Sequence, residues 1–90
     1  MGYQIRIERR AEKALVRLTR RDRRRIIKAI DDLAEDPRPA GCVPVKAAPR
    51  GTYRVRVGDY RVIYLVLDDD EGLVTVTRVR RRGGDTYKGL

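Results

Sequence analysis

Gly58-Asp59 separates two alternating runs, and this dipeptide settles more of the fold than any other pair in the 90-residue chain. Before it, Tyr53, Val55 and Val57 alternate with Arg54 and Arg56. After it, Tyr60 to Leu67 is nearly all apolar, the pattern of a central strand buried on both faces. A period of two marks a strand, and Gly-Asp makes a two-residue hairpin turn. Such a turn pairs Val57 with Tyr60, Arg56 with Arg61, Val55 with Val62 and Arg54 with Ile63. Side chains alternate between faces. Tyr53, Val55, Val57, Tyr60, Val62 and Tyr64 therefore share a core face, and Arg54, Arg56 and Arg61 share the other. Arg56 directly opposite Arg61 is a destabilising like-charge pair, and an anion bound between the two would relieve it. The plainer reading is solvated charge on an exposed strand, where basic residues guard against edge pairing. Asp59, the acidic turn after Leu67 and Asp85 are candidate neutralising partners.

The remaining elements follow from the change of period. Tyr3 to Ile7 alternates and reads as a strand. Ala11, Ala14, Leu15 and Leu18 then fall on one face of a short helix. Thr19 with Asp22 three residues on starts a second helix, whose inner face holds Ile26, Ile27, Ile30, Leu33 and Ala34. Asp36-Pro37 is expected to end it, because the residue before a proline is pushed out of the helical region. Residues 37–51 hold all four prolines and read as a loop, with one extended stretch around Val43–Lys46. Asp68 to Gly72 is a polar turn, and Leu73 to Val79 is a further strand. The order is β-α-α-β-β-β. The expected fold is α+β, in one domain over residues 1–90. Two N-terminal helices lie on one face of a small, mainly antiparallel sheet of about four strands. The register of the last strand is open, and it brings either Arg78 or Arg80 beside the arginine cluster. The tail beyond carries Arg81, Arg82, Tyr87 and Lys88.

Composition narrows the chemistry. Of 22 basic residues 18 are Arg, against 13 Asp plus Glu, for a net charge of +9. Guanidinium grips phosphate bidentately and keeps its proton. Such a chain is expected to meet a polyanion or an acidic protein. There is no His, so no His-based acid/base pair or metal site is available. One Cys, Cys42, makes neither an internal disulfide nor a cysteine zinc site. No apolar run is long enough to span a bilayer and no apolar N-terminal signal is present, so the expected compartment is the cytoplasm. The arginines from Arg17 to Arg25, with Lys28, read as a solvated or steering helix face.

The stretch Gly51-Thr-Tyr-Arg-Val-Arg-Val-Gly-Asp-Tyr-Arg-Val-Ile-Tyr64 strongly resembles the signature hairpin of the RelE/ParE toxin superfamily of toxin–antitoxin pairs. The likeness extends over most of the chain, from the two helices to the tail with Arg81 and Tyr87. It implies a RelE-like fold. In the RelE-like branch it implies a ribosome-dependent endoribonuclease that cuts mRNA in the A site by 2′-hydroxyl attack on the adjacent phosphate. The resemblance places catalysis on Arg56, Arg61, Arg81 and Tyr87. Arg54, matched with Arg56 as the hairpin pair, joins Lys46, Arg78, Arg80, Arg82 and Lys88 as candidate RNA contacts, Lys46 having plain loop surface as its simpler reading, and no metal or cofactor is implied. Nuclease members often carry lysines in the hairpin pair where this chain has Arg54 and Arg56, so a mechanism using a deprotonated lysine there does not carry over. The implied partners are an acidic, RelB-like antitoxin, the ribosome and mRNA. The rival reading is a ParE-like toxin that inhibits DNA gyrase without nuclease chemistry.

Overall fold

The computed structural model describes residues 2–69 and 72–81. Strand β1 (Gln4–Ile7) leads into helix α1 (Arg9–Val16) and helix α2 (Arg20–Asp32). Four strands follow: β2 (Val43–Pro44), β3 (Thr52–Val57), β4 (Tyr60–Leu67) and β5 (Leu73–Arg81). They form one five-stranded sheet in the order β1-β5-β4-β3-β2. All neighbours are antiparallel except β1, which runs parallel to β5. The sheet thus has one strand more than the sequence suggested. The addition is β2, a two-residue edge within the stretch read as extended. A proline there limits further pairing, as expected at an edge.

Both helices lie on one face, α1 over β5 and α2 over β3. Their stripes of Ala11, Leu15, Ile26, Ile30 and Leu33 are buried against Val62, Tyr64, Val66, Val74 and Val76. The Thr19 hydroxyl accepts from the Asp22 amide at 3.2 Å and caps α2, a contact worth about 1 kcal/mol. Helix α2 stops at Asp32, four residues before the proline step expected to end it. Turn-type hydrogen bonds from the amides of Leu33, Ala34, Glu35 and Asp36 complete the descent. The Ala34 carbonyl is then used by the amide of Tyr3, at 2.7 Å, which ties the helix exit to the start of β1.

The loop after α2 is anchored from beneath. Tyr64, fully buried, donates its hydroxyl to the Pro37 carbonyl at 2.8 Å. Arg38 donates to Asp68 at 2.6 Å and to the Tyr53 hydroxyl at 3.1 Å, with its guanidinium 5.5 Å from the Tyr53 ring centre. Tyr3 donates to the other Asp68 oxygen at 2.6 Å. Burial pushes the Tyr64 phenol well above its ordinary pKa, and the nearby Cys42 thiol adds to the rise. Hydrogen bonds from Arg38 and then Tyr3 hold the Asp68 carboxyl below the usual range.

Candidate phosphate-binding site

The β3–β4 register is the one that the Gly58-Asp59 turn demands, with Arg56 opposite Arg61 and Arg54 opposite Ile63. Gly58 has a φ of 59° and Asp59 a negative φ, the pattern of a II′ turn, which places Gly first. The register of β5 decides which of its arginines join. A bulge interrupts the β4–β5 ladder: Tyr64 pairs with Val76, but Ile63 pairs with Arg78. Thr77 is the extra residue, and its hydroxyl donates to the Ile63 carbonyl at 3.2 Å. Val74, Val76 and Val79 consequently all face the helices, while Arg78 and Arg80 face away.

The open face therefore carries two arginine rows at its turn end. Arg56, Arg61 and Arg80 lie side by side across three strands, about 10 Å from first to last at normal strand spacing. Arg54 and Arg78 flank Ile63 in the next row. The far end of the face is less polar, with Thr52, Leu65 and Thr75, then Leu67 and Leu73. Gly41 and Val43 wall off a cleft of about 140 Å³ whose remaining lining is Arg54, Arg56 and Arg61. Pockets that bury whole small-molecule substrates run to about 300 Å³ and more. This cleft suits a phosphate carried on a longer chain.

Among the described residues, Arg54, Arg56, Arg61 and Arg78 have no ion-pair partner, and Asp59 does not supply one. The arginine ion pairs among the described residues lie elsewhere, notably Arg38 with Asp68 and Arg25 with Asp22.

The sequence-derived residues therefore divide. Arg54, Arg56 and Arg61 come together as expected, and both Arg78 and Arg80 reach the same face. Arg81 does not. It pairs with Tyr60, two residues beyond the buried Val79, and so stands on the helix side. Lys46 is exposed in the turn after β2 and does not line the cleft. Arg82, Tyr87 and Lys88, like Asp85, lie outside the described residues. The reading of the sequence missed Gly41 and Val43 as the cleft wall. Val43 begins the stretch that reads as extended, while Gly41 lies before it and carries no signal beyond the proline-rich loop. The helix arginines stay apart: Arg20, Arg23, Arg24 and Lys28 surround the exposed Ile27 in one shallow outer groove. Arg9, Arg10, Lys13 and Arg17 line another.

Similarity to known proteins bears on the fold and the family. A family model described as the ParE toxin of the type II toxin–antitoxin system, parDE, matches residues 5–86. None of the curated proteins matches. Among solved structures, the archaeal RelE–RelB complex from Pyrococcus horikoshii is 31% identical with a TM-score of 0.80, over 93% of this chain and 99% of that one. The toxin–antitoxin complex RelBE2 from Mycobacterium tuberculosis is 28% identical with a TM-score of 0.76, over 91% and 100%. The YoeB/ParE toxin from Agrobacterium tumefaciens shares the fold at 18% identity and a TM-score of 0.73, over 88% and 98%. By sequence match and by fold, this chain belongs to the ParE toxin family of type II toxin–antitoxin systems, within the RelE/ParE superfamily.

Proposed function

We propose that this toxin is a ribosome-dependent endoribonuclease that cleaves mRNA at the phosphate held between Arg56 and Arg61. The observation that carries the reading is the like-charge rung itself. Arg56 and Arg61 are direct cross-strand partners lining one small cleft, with no ion-pair partner for either among the described residues, an arrangement that costs stability when empty and suits a bound anion. Cleavage begins when the 2′-hydroxyl loses its proton and its oxygen attacks the adjacent phosphorus. The P–O5′ bond then breaks, and the 5′ oxygen takes up a proton. The products are a 2′,3′-cyclic phosphate and a 5′-hydroxyl. Arg56 and Arg61 stabilise the extra negative charge of the phosphorane, the usual task of fixed cationic donors. Arg80, in the same row, fills the place that the resemblance gave to Arg81. Arg54 and Arg78 guide the flanking backbone. Tyr87 is proposed as the proton partner or the group that orients it. The ribosome supplies in-line geometry, and the chain needs no metal. Between cycles an acidic, RelB-like antitoxin in the same cytoplasm covers the arginines.

The test is to incubate the protein with translating ribosomes and map the mRNA ends. Cleavage within A-site codons is expected, and Arg61→Ala should reduce it at least ~100-fold through lost charge stabilisation. Tyr87→Phe should also impair it. Intact message at saturating toxin overturns the reading. The rival, gyrase inhibition, is favoured by one observation: the matching family model is that of ParE. It wins if supercoiling by gyrase is blocked while Arg61→Ala and Tyr87→Phe still arrest growth.

A further inference from the structure

Charge at the hairpin end is not confined to the open face. The bulge at Thr77 divides the arginines of β5, sending Arg78 and Arg80 to one side and Arg81 to the other. Arg81 is exposed and, among the described residues, has no ion-pair partner. Val57, Tyr60 and Arg81 make one row across three strands, so Arg81 sits about 10 Å from the β3 end of the turn. Arg25 reaches down from α2 at that end. Its guanidinium lies so close over Gly58 that a Cβ there would be 2.7 Å from Nη2 and 3.0 Å from Cζ. The acidic contact of Arg25, with Asp22, is 4.0 Å long and half exposed, a weak pairing that a phosphate can displace.

We propose that Arg25, Tyr60 and Arg81 form a second phosphate station on the helix side of the Gly58-Asp59 turn, occupied by the same RNA strand that enters the Arg56–Arg61 cleft. This rests on the reading of RNA as the ligand. The two stations are back to back across the sheet, with the exposed turn between them at the hairpin end. A single strand passing that end meets guanidinium groups on both sides. Arg25 and Arg81 neutralise a phosphate apiece, and the Tyr60 phenol between them offers a hydrogen-bond donor and an aromatic edge for a base. An acidic protein segment would meet the same charges, but continuity with a cleft sized for one phosphate favours nucleic acid.

The experiment is direct binding of RNA without ribosomes, so that a failure of ribosome-dependent cleavage leaves it interpretable. Two probes are used across a salt series: a dinucleotide, and a single strand of about eight nucleotides, within the usual span of such sites. For the longer strand, R25Q/R81Q should flatten the slope of log K against log salt by about 1.4, two contacts at roughly 0.7 each. Its affinity for the dinucleotide should be unchanged, because that probe fills only the Arg56–Arg61 cleft. R56Q/R61Q should weaken both probes. R25K/R81K keeps charge and packing, and should keep the wild-type slope. The proposal is overturned if R25Q/R81Q binds the longer strand as wild type does at every salt concentration. Equal loss of both probes overturns it too, as does weakened capture of an acidic peptide with RNA binding intact.

Discussion

Asp68 shows how one exposed side chain secures a distant wall of the site. Its two oxygens are held by Arg38 and Tyr3, and Arg38 lies in the loop that runs to Gly41 and Val43. The carboxyl is held below its ordinary pKa, so the unfolded chain binds a proton more readily than the folded one. The resulting stability is present above the unfolded value, roughly pH 4, and is lost as pH falls through the lower folded value. Asp68→Asn should therefore unfold at lower urea than wild type at pH 7, with the gap closing below about pH 4. A gap of equal size at both pH values would mean that the Asp68 charge has no part in the anchor. Neither Arg38 nor Asp68 stood out in the sequence. Their pairing spans 30 positions and depends on where the loop lands.

At the level of elements, β5 holds the decisive detail. A regular strand would keep Val74, Val76, Arg78 and Arg80 on one face, since alternate residues share a side. The bulge resets the phase, and Val79 replaces Arg78 in the core. Val79→Ala should cost about 1–3 kcal/mol in urea unfolding, from lost burial plus a cavity. Arg78→Ala should fall within about 0.5 kcal/mol of wild type. The reverse ranking would refute the register. The β3–β4 hairpin was legible in full because a two-residue turn leaves one register. The β4–β5 register was not, because the acidic turn has no fixed length of pairing and a bulge leaves only a faint mark, here the slip from Val76 to Val79. Strand β1 was legible as an element but not as the parallel neighbour of β5, since no turn joins the two. The same limit hid which face Arg81 takes.

The molecule as a whole carries a net charge of +9, and its basic surface runs from the open face over the hairpin end to the grooves outside α1 and α2. Such a field attracts an acidic partner from a distance and is screened over about 8–10 Å at moderate salt. An acidic antitoxin should associate with this chain at a rate that falls steeply with ionic strength, as stopped-flow mixing would show. A rate indifferent to salt would place recognition in apolar contacts instead. No helix among the described residues is long and apolar enough to cross a membrane.

The rung of Arg56 against Arg61 has one more effect, on the fold itself. Two like charges held across a ladder push the hairpin apart, and a guest anion turns that push into a pull. The hairpin would therefore open less readily with an anion bound than without one. On the proposed reading, the bound phosphate would act as a cross-strand clasp, and capture of the target would register as resistance of this hairpin to opening.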